Sequence, residues 1–142
     1  MYKNILVTVD INATASWQKA LPQAVEMCRT WGAALHVLCV VPSYGTPLVE
    51  GFFPDDYQKK ARAKAVEQLD ALVKAQVPAE LSAKSHVRTG TVHDEILAAV
   101  RENGADLVIM ASHAPDHMRD FLVGSNADRV VRRSPVSILV VR

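Results

Sequence analysis

The chain alternates short, nearly unbroken runs of Val, Ile and Leu with longer segments whose apolar residues recur every three or four positions. The strand-like runs are 4–9, 34–41, 83–89, 106–110 and 136–141. Four of them are almost continuously apolar, the signature of strands buried on both faces in a parallel sheet. The third carries Lys84, His86 and Arg88 in alternation and belongs at an edge. Between the runs, Trp17, Leu21, Ala24, Cys28 and Trp31 form one helical stripe. Pro22 within that stripe predicts a kink or a late start. A second helix over 58–77 aligns Val66, Leu69, Leu72, Val73 and Val77, and a third over 91–103 aligns Val92, Ile96, Ala99 and Val100. Thr91 with Asp94 three positions on is close to a capping box, and Gly104 is placed as the residue after the helix end. A last helix is predicted over 125–133, before Ser134 and Pro135. The order is βαβ, a long loop, then αβαβαβ. It specifies an α/β, doubly wound open five-stranded parallel sheet with right-handed crossovers and helices on both faces.

With 142 residues the chain suits one domain, 1–142, with room for a core. Its formal net charge of +1 and lack of a like-charge run argue against a nucleic-acid partner. Lys59, Lys60, Arg62 and Lys64 read as one solvated helix face. No apolar stretch is long enough to insert in a membrane, and the opening MYKNILVTVD has neither the core nor the cleavage pattern of a signal peptide. Cys28 and Cys39 cannot form a disulfide framework and read as buried thiols. The expected compartment is cytoplasmic.

Open parallel sheets bind ligands beyond the carboxyl ends of their strands, where strand order reverses. The candidates there are Asp10 and Asn12 after the first strand, Val40 and Val41 at the end of the second, and the stretch 110–126 after the fourth. That stretch ends in Gly124-Ser125-Asn126 at a helix start. A helix N-terminus offers free N–H groups and partial positive charge to a phosphate. The same three residues also read as an ordinary N-cap, and Asp10 as a cap for the turn that follows it. The loop 42–54, with Gly45, Pro47, Gly51, Phe52 and Phe53, is long for its place. It reads either as a flap beside the site or as a packed surface loop.

Lys-Asn-Ile-Leu-Val-Thr-Val-Asp10, Gly90, Ala105-Asp106-Leu107-Val108-Ile109-Met110 and the segment 110–142 resemble the universal stress protein family over the whole chain. ATP-binding members carry G-x2-G-x9-G-[ST] after the fourth strand. Here the same spacing reads Ala111-x2-Ala114-x9-Gly124-Ser125, so alanines replace the first two glycines. Alanine adds a Cβ and disfavours positive φ. The pattern Ala-Ser-His-x-Pro-Asp followed by Leu-x-Gly-Ser-Asn is similar to the F/G-type branch, which has a shortened glycine signature and is generally regarded as nucleotide-binding.

The resemblance implies strand order 3-2-1-4-5 in an adenine nucleotide alpha hydrolase-like fold, and ATP, or else AMP or ADP, as ligand. It places Thr8, Val9 and Asp10 against the base or ribose, and Val40 where strand-two backbone reads the adenine edge; core packing is the other reading for Val40. Met110 and Ala111 match the ribose-side wall, and Ser112, His113, Gly124, Ser125 and Asn126 match the phosphate loop. It also implies a homodimer through the last strand, from Val136 to Val141, whose apolar edge pairing would cover.

His113, Asp116 and His117 make a poor metal set, because Pro115 interrupts the helix that such spacing needs. Mg²⁺ would arrive through the phosphates, beside Asp10 and Asp116. His36 reads as a hydrogen-bonded sheet residue, His86 as an edge-strand side chain and His93 as solvent-facing. Walker, Rossmann and nucleophile-elbow motifs are absent, and no base or arginine is evident for rapid hydrolysis. The functional expectation is a dimeric ATP-sensing stress-response module, an unidentified protein partner being one outlet for its signal. The alternatives are a slow ATPase or autophosphorylating enzyme, using Ser112 or Ser125, and a nucleotide-free dimerisation module.

Overall fold

The computed structural model describes residues 1–43, 56–112 and 124–142. Most of the loop 42–54 and all of Ala114, Pro115, Asp116, His117 and His113 lie outside the described residues. The strands are β1 (Asn4–Thr8), β2 (Ala34–Pro42), β3 (Lys84–Gly90), β4 (Leu107–Ala111) and β5 (Ser137–Val141). The helices are α1 (Ala20–Trp31), α2 (Tyr57–Gln76), α3 (Val92–Asn103) and α4 (Ser125–Arg133). The strands form one sheet in the order β3-β2-β1-β4-β5, and every pair is parallel.

Sequence pattern and burial agree closely in the middle of this sheet. Ile5, Leu6 and Val7 of β1 and Val108 and Ile109 of β4 have no exposed surface. Burying each such side chain contributes about 1.5–3 kcal/mol. One face packs Ile5, Val7, Val37 and Ile109 against α1 and α2, through Leu21, Ala24, Cys28 and Leu69. The other packs Leu6, Leu38 and Val108 against α3 and α4, through Ile96, Val100, Ala127 and Val130. The Asp106 carboxylate ties the start of β4 to β1 by accepting the Lys3 and Asn4 N–H groups at 2.8 and 2.9 Å. Both cysteines are buried free thiols, and burial pushes the Cys28 thiol up to about 11.

The first helix starts late, at Ala20, so Pro22 falls in the first turn, where few N–H groups have helical partners. The chain ahead of it makes a 3₁₀ turn at Thr14–Ser16. Gly104 ends α3 in the left-handed region at φ 64°. Three local expectations differ from the structure. Val66, aligned with the apolar face of α2, is exposed. Thr91 is the N-cap of α3 by position, but its side chain makes no capping hydrogen bond. His93 is buried rather than solvent-facing. Positions 93, 96, 97 and 100 share a helix face, and that face is covered by the sheet and by α4. The Nδ1 atom of His93 is buried without a hydrogen-bond partner.

Candidate functional site

The ends of β1, β2 and β4 leave a cavity of about 740 Å³. It lies at the switch point, where the chain winds from β1 towards β2 on one side and β4 lies on the other. Strand lengths create the opening. β1 pairs with β2 only as far as Thr8 opposite Leu38, whereas β2 continues beside β3 to Pro42 opposite Gly90. The last residues of β2 therefore have no strand neighbour on the β1 side. Val9 closes the final step, its N–H donating to the Leu38 carbonyl at 2.8 Å. Beyond that point Val40 lines the open wall.

Asp10 turns the chain out of the sheet. Its Oδ1 accepts the Asn12 N–H at 2.9 Å, a side-chain turn that mimics a backbone one. The buried Ser16 hydroxyl accepts the Asp10 N–H at 2.8 Å and also lies 2.9 Å from the Asp10 carbonyl and 2.6 Å from the Ala13 carbonyl. Asp10 thus caps the turn and lines the cavity at once, leaving Oδ2 without a partner among the described residues.

The opposite wall is the start of α4. Gly124 is the N-cap at φ −48° and ψ 153°, and its carbonyl accepts the Asp128 N–H at 2.9 Å. No side chain caps this helix. The capping reading of Ser125 and Asn126 therefore fails, since both lie inside the first turn. Its leading N–H groups have no intrahelical acceptors, and Gly124, Ser125, Asn126 and Ala127 all face the cavity.

Thr8, Val9, Asp10, Val40, Met110, Ala111, Gly124, Ser125 and Asn126 are brought together around one space. Ser112 is not among the described lining residues; its N–H donates to the Val141 carbonyl at 2.8 Å and holds it to β5. Ala111 sits within β4 opposite Val141, and Ser82 is the only described non-glycine residue with positive φ. Alanine at 111 consequently strains nothing.

The structure adds a wall that the motifs did not mark. Tyr57, Ala61, Lys64 and Gln68 of α2 line the cavity at spacings of four, three and four. All four residues of the basic cluster are exposed, as a solvated face requires, but their neighbours differ. Lys60 pairs with Asp56 at 2.9 Å and Arg62 donates to the Val87 carbonyl at 3.3 Å, whereas Lys64 faces the cavity. Lys64 and Asp10 are its only charged side chains among the described residues. Helical periodicity shows which residues share a face, but not that this face meets the cavity. No group of three or more metal-ligating side chains occurs among the described residues, and no described helix is long and apolar enough to cross a membrane.

The sequence pattern of the universal stress protein family matches residues 1–142. Universal stress protein G of Escherichia coli O157:H7 is 32% identical over 144 residues, covering 100% of both chains. The structure of universal stress protein UspA from Lactobacillus plantarum superposes with a TM-score of 0.74 at 25% identity, covering 99% of this chain and 98% of that one. The universal stress protein from Archaeoglobus fulgidus in complex with dAMP shares the fold, with a TM-score of 0.62 at 20% identity over 99% of this chain and 98% of that one. The full-length match to the family pattern and the 32% identity over the whole of both chains establish it: the chain belongs to the universal stress protein family.

Proposed function

We propose that the chain binds an adenine nucleotide, ATP foremost with AMP or ADP as substitutes, and serves as a homodimeric nucleotide-sensing module. One observation carries the reading: the cavity runs from the strand-free side of β2 to the uncapped N-terminus of α4. β2 and β4, the strands on either side of the cavity, are two strand spacings apart, about 10 Å, which suits a ligand with a flat base at one end and an anion at the other. In this reading Val40 backbone meets the base, and Asp10 with Thr8 and Val9 meets the base or ribose. Met110 and Ala111 form the wall between, and Ser125, Asn126 and the Gly124 turn receive phosphate, with Ser112 and His113 as further phosphate-loop residues. Mg²⁺ would enter on the phosphates, with Asp10 Oδ2 as a carboxylate oxygen free to face it. The dAMP complex of the Archaeoglobus fulgidus relative supports the ligand class. The cytoplasm is the compartment proposed with it.

The decisive experiment is mass spectrometry of small molecules released from freshly purified protein, with calorimetric titration by ATP and AMP. The reading fails if neither nucleotide co-purifies or binds below millimolar concentration. Gly124→Asp sharpens it. Aspartate is a good N-cap and the backbone there suits it, so stability should hold or rise by a few tenths of a kcal/mol. A carboxylate at the amides should nevertheless lower nucleotide affinity at least tenfold.

The dimer part rests on β5, an outer strand without charge whose Ile138, Leu139 and Val140 are only half-buried. A second copy covering that edge would bury them. A monodisperse monomer at micromolar concentration would overturn this part alone.

A further inference from the structure

We propose that His36 and His86 form a proton-sensing latch that clamps the edge strand β3 at neutral pH and loosens it on acidification. His36 lies in β2 and is 6% exposed, and His86 lies in β3 opposite Leu38. Side chains two apart on one strand share a face, so both imidazoles lie on the α3 side of the sheet. His36 Nδ1 and His86 Nε2 are 2.9 Å apart. The ring centroids are 5.1 Å apart and the planes differ by 21°. That separation is close to the N···N distance plus the two ring radii, so the rings meet edge to edge rather than face to face. This is the geometry of an N–H···N bond, with each facing nitrogen directed at the other instead of at a common metal ion.

The proton count explains why the bond acts as a switch. In the neutral pair one facing nitrogen carries the proton and the other accepts it. The donor ring then has a bare outer nitrogen, and the acceptor ring has a protonated one. A first added proton goes to the bare outer nitrogen and leaves the bond intact. A second must go to the accepting nitrogen, where two N–H groups then face each other on two cationic rings. The hydrogen bond is lost and replaced by repulsion.

The surroundings resist that charging. Lys84 and Arg88 flank His86 on the same strand face. From α3, the acids Glu95 and Glu102 approach this face, and both are ion-paired with Arg88. Neighbouring β1 offers Leu6, opposite His36. From α2, Arg62 reaches the Val87 carbonyl and adds a further cation near the strand. Burial lowers both histidines from the usual 6.5, with Lys84 and the second imidazole adding to it at His36, and Lys84 and Arg88 at His86. Because the folded values lie below the unfolded ones, the latch contributes fully above about pH 6.5 and is lost as pH falls through the folded values. Two excess protons in the unfolded chain correspond to a slope of up to about a hundredfold in the folding equilibrium per pH unit.

The strand so released borders the proposed ligand cavity. β3 flanks the open end of β2, where the Ser43 N–H donates to the Gly90 carbonyl at 3.1 Å. The next residues begin α3, whose Val92 and Ile96 line the cavity. The latch itself does not depend on nucleotide binding.

The test is urea unfolding of the full chain at pH 7.5 and 5.5, comparing wild type with His36→Val/His86→Val. His93 and the carboxylates remain in both, so the difference isolates the pair. The wild type should lose at least tenfold more of its folding equilibrium constant than the variant does; equal losses overturn the latch. If the variant does not fold, nitrogen-15 NMR of the wild-type imidazoles decides. Coupled titration with midpoints below 6.5, with amide protection lost across β3 first, supports the proposal. Independent titration of the two rings near 6.5 overturns it.

Discussion

The two outer strands of the sheet face the same problem with opposite compositions. An edge strand presents backbone groups that invite pairing with another chain. β3 answers with charge and local bonds: Lys84 and Ser85 are exposed, Arg88 holds Glu95 at 2.7 Å and also pairs with Glu102, and Arg62 reaches over from α2 to the Val87 carbonyl. β5, Ser137–Val141, carries no charge at all. One edge is finished within the chain, and the other is the edge that the proposed dimer would cover. The contrast teaches that the same place at a sheet edge can be closed by a strand's own charged side chains or left apolar, and that composition tells the two apart.

The contrast can be broken most sharply at β5. Val140→Lys places a cation on a half-buried position of that strand. It should raise the dimer dissociation constant at least a hundredfold in sedimentation analysis, while the corresponding change on β3, Ser85→Lys, should leave assembly unchanged. An unaltered oligomer in Val140→Lys removes β5 from the interface.

A smaller effect is expected from breaking the closure of β3. Arg88→Met leaves Glu95 and Glu102 without their common cation. The pair is partly exposed, so solvent screening limits the loss to about 1–2 kcal/mol in urea unfolding, with assembly unaffected. Gly90→Ala should cost a similar 1–3 kcal/mol (a rough figure for strained backbone). Gly90 has φ 151°, and a Cβ there would approach Glu95 Oε1 to 2.6 Å. A stability change within experimental error would show that Glu95 can swing away and that β3 is less tightly closed than its contacts indicate.

The smallest effect belongs to Thr91, just past that edge. A capping residue usually contributes about 1 kcal/mol. Because the Thr91 side chain makes no cap bond, Thr91→Ala should cost less than about half of that. A full loss of about 1 kcal/mol on thermal unfolding would show a formed side-chain cap and a more rigid handover from β3 to α3.

Much of the architecture was readable from local pattern. Uninterrupted Val, Ile and Leu in 4–9 and 106–110 report burial on both faces, since burial acts on each side chain separately, and the charged alternation in 83–89 reports an edge. Gly104 and Pro22 mark helix ends through backbone sterics that need no partner. Asp10, Val40 and Gly124-Ser125-Asn126 could be nominated because ligand sites of parallel sheets follow strand ends.

Other features arose only when distant segments met. Ala111 looked restrictive beside a glycine signature, yet the ladder to β5 holds it in extended backbone, which alanine adopts freely. Lys64 reads as one more solvated cation and is exposed, but the packing of α2 also sets it in the wall of the cavity. His93 reads as solvent-facing by polarity, yet it is buried on a helix that packs against the sheet and against α4, more than 30 positions on. The histidine pair, 50 residues apart in sequence, exists only through the β2–β3 register. Sequence pattern therefore determined which segments become strands and helices and where a ligand site could open. Tertiary register decided which side chains share that site and which bury one another, because those outcomes depend on distances that no local periodicity contains.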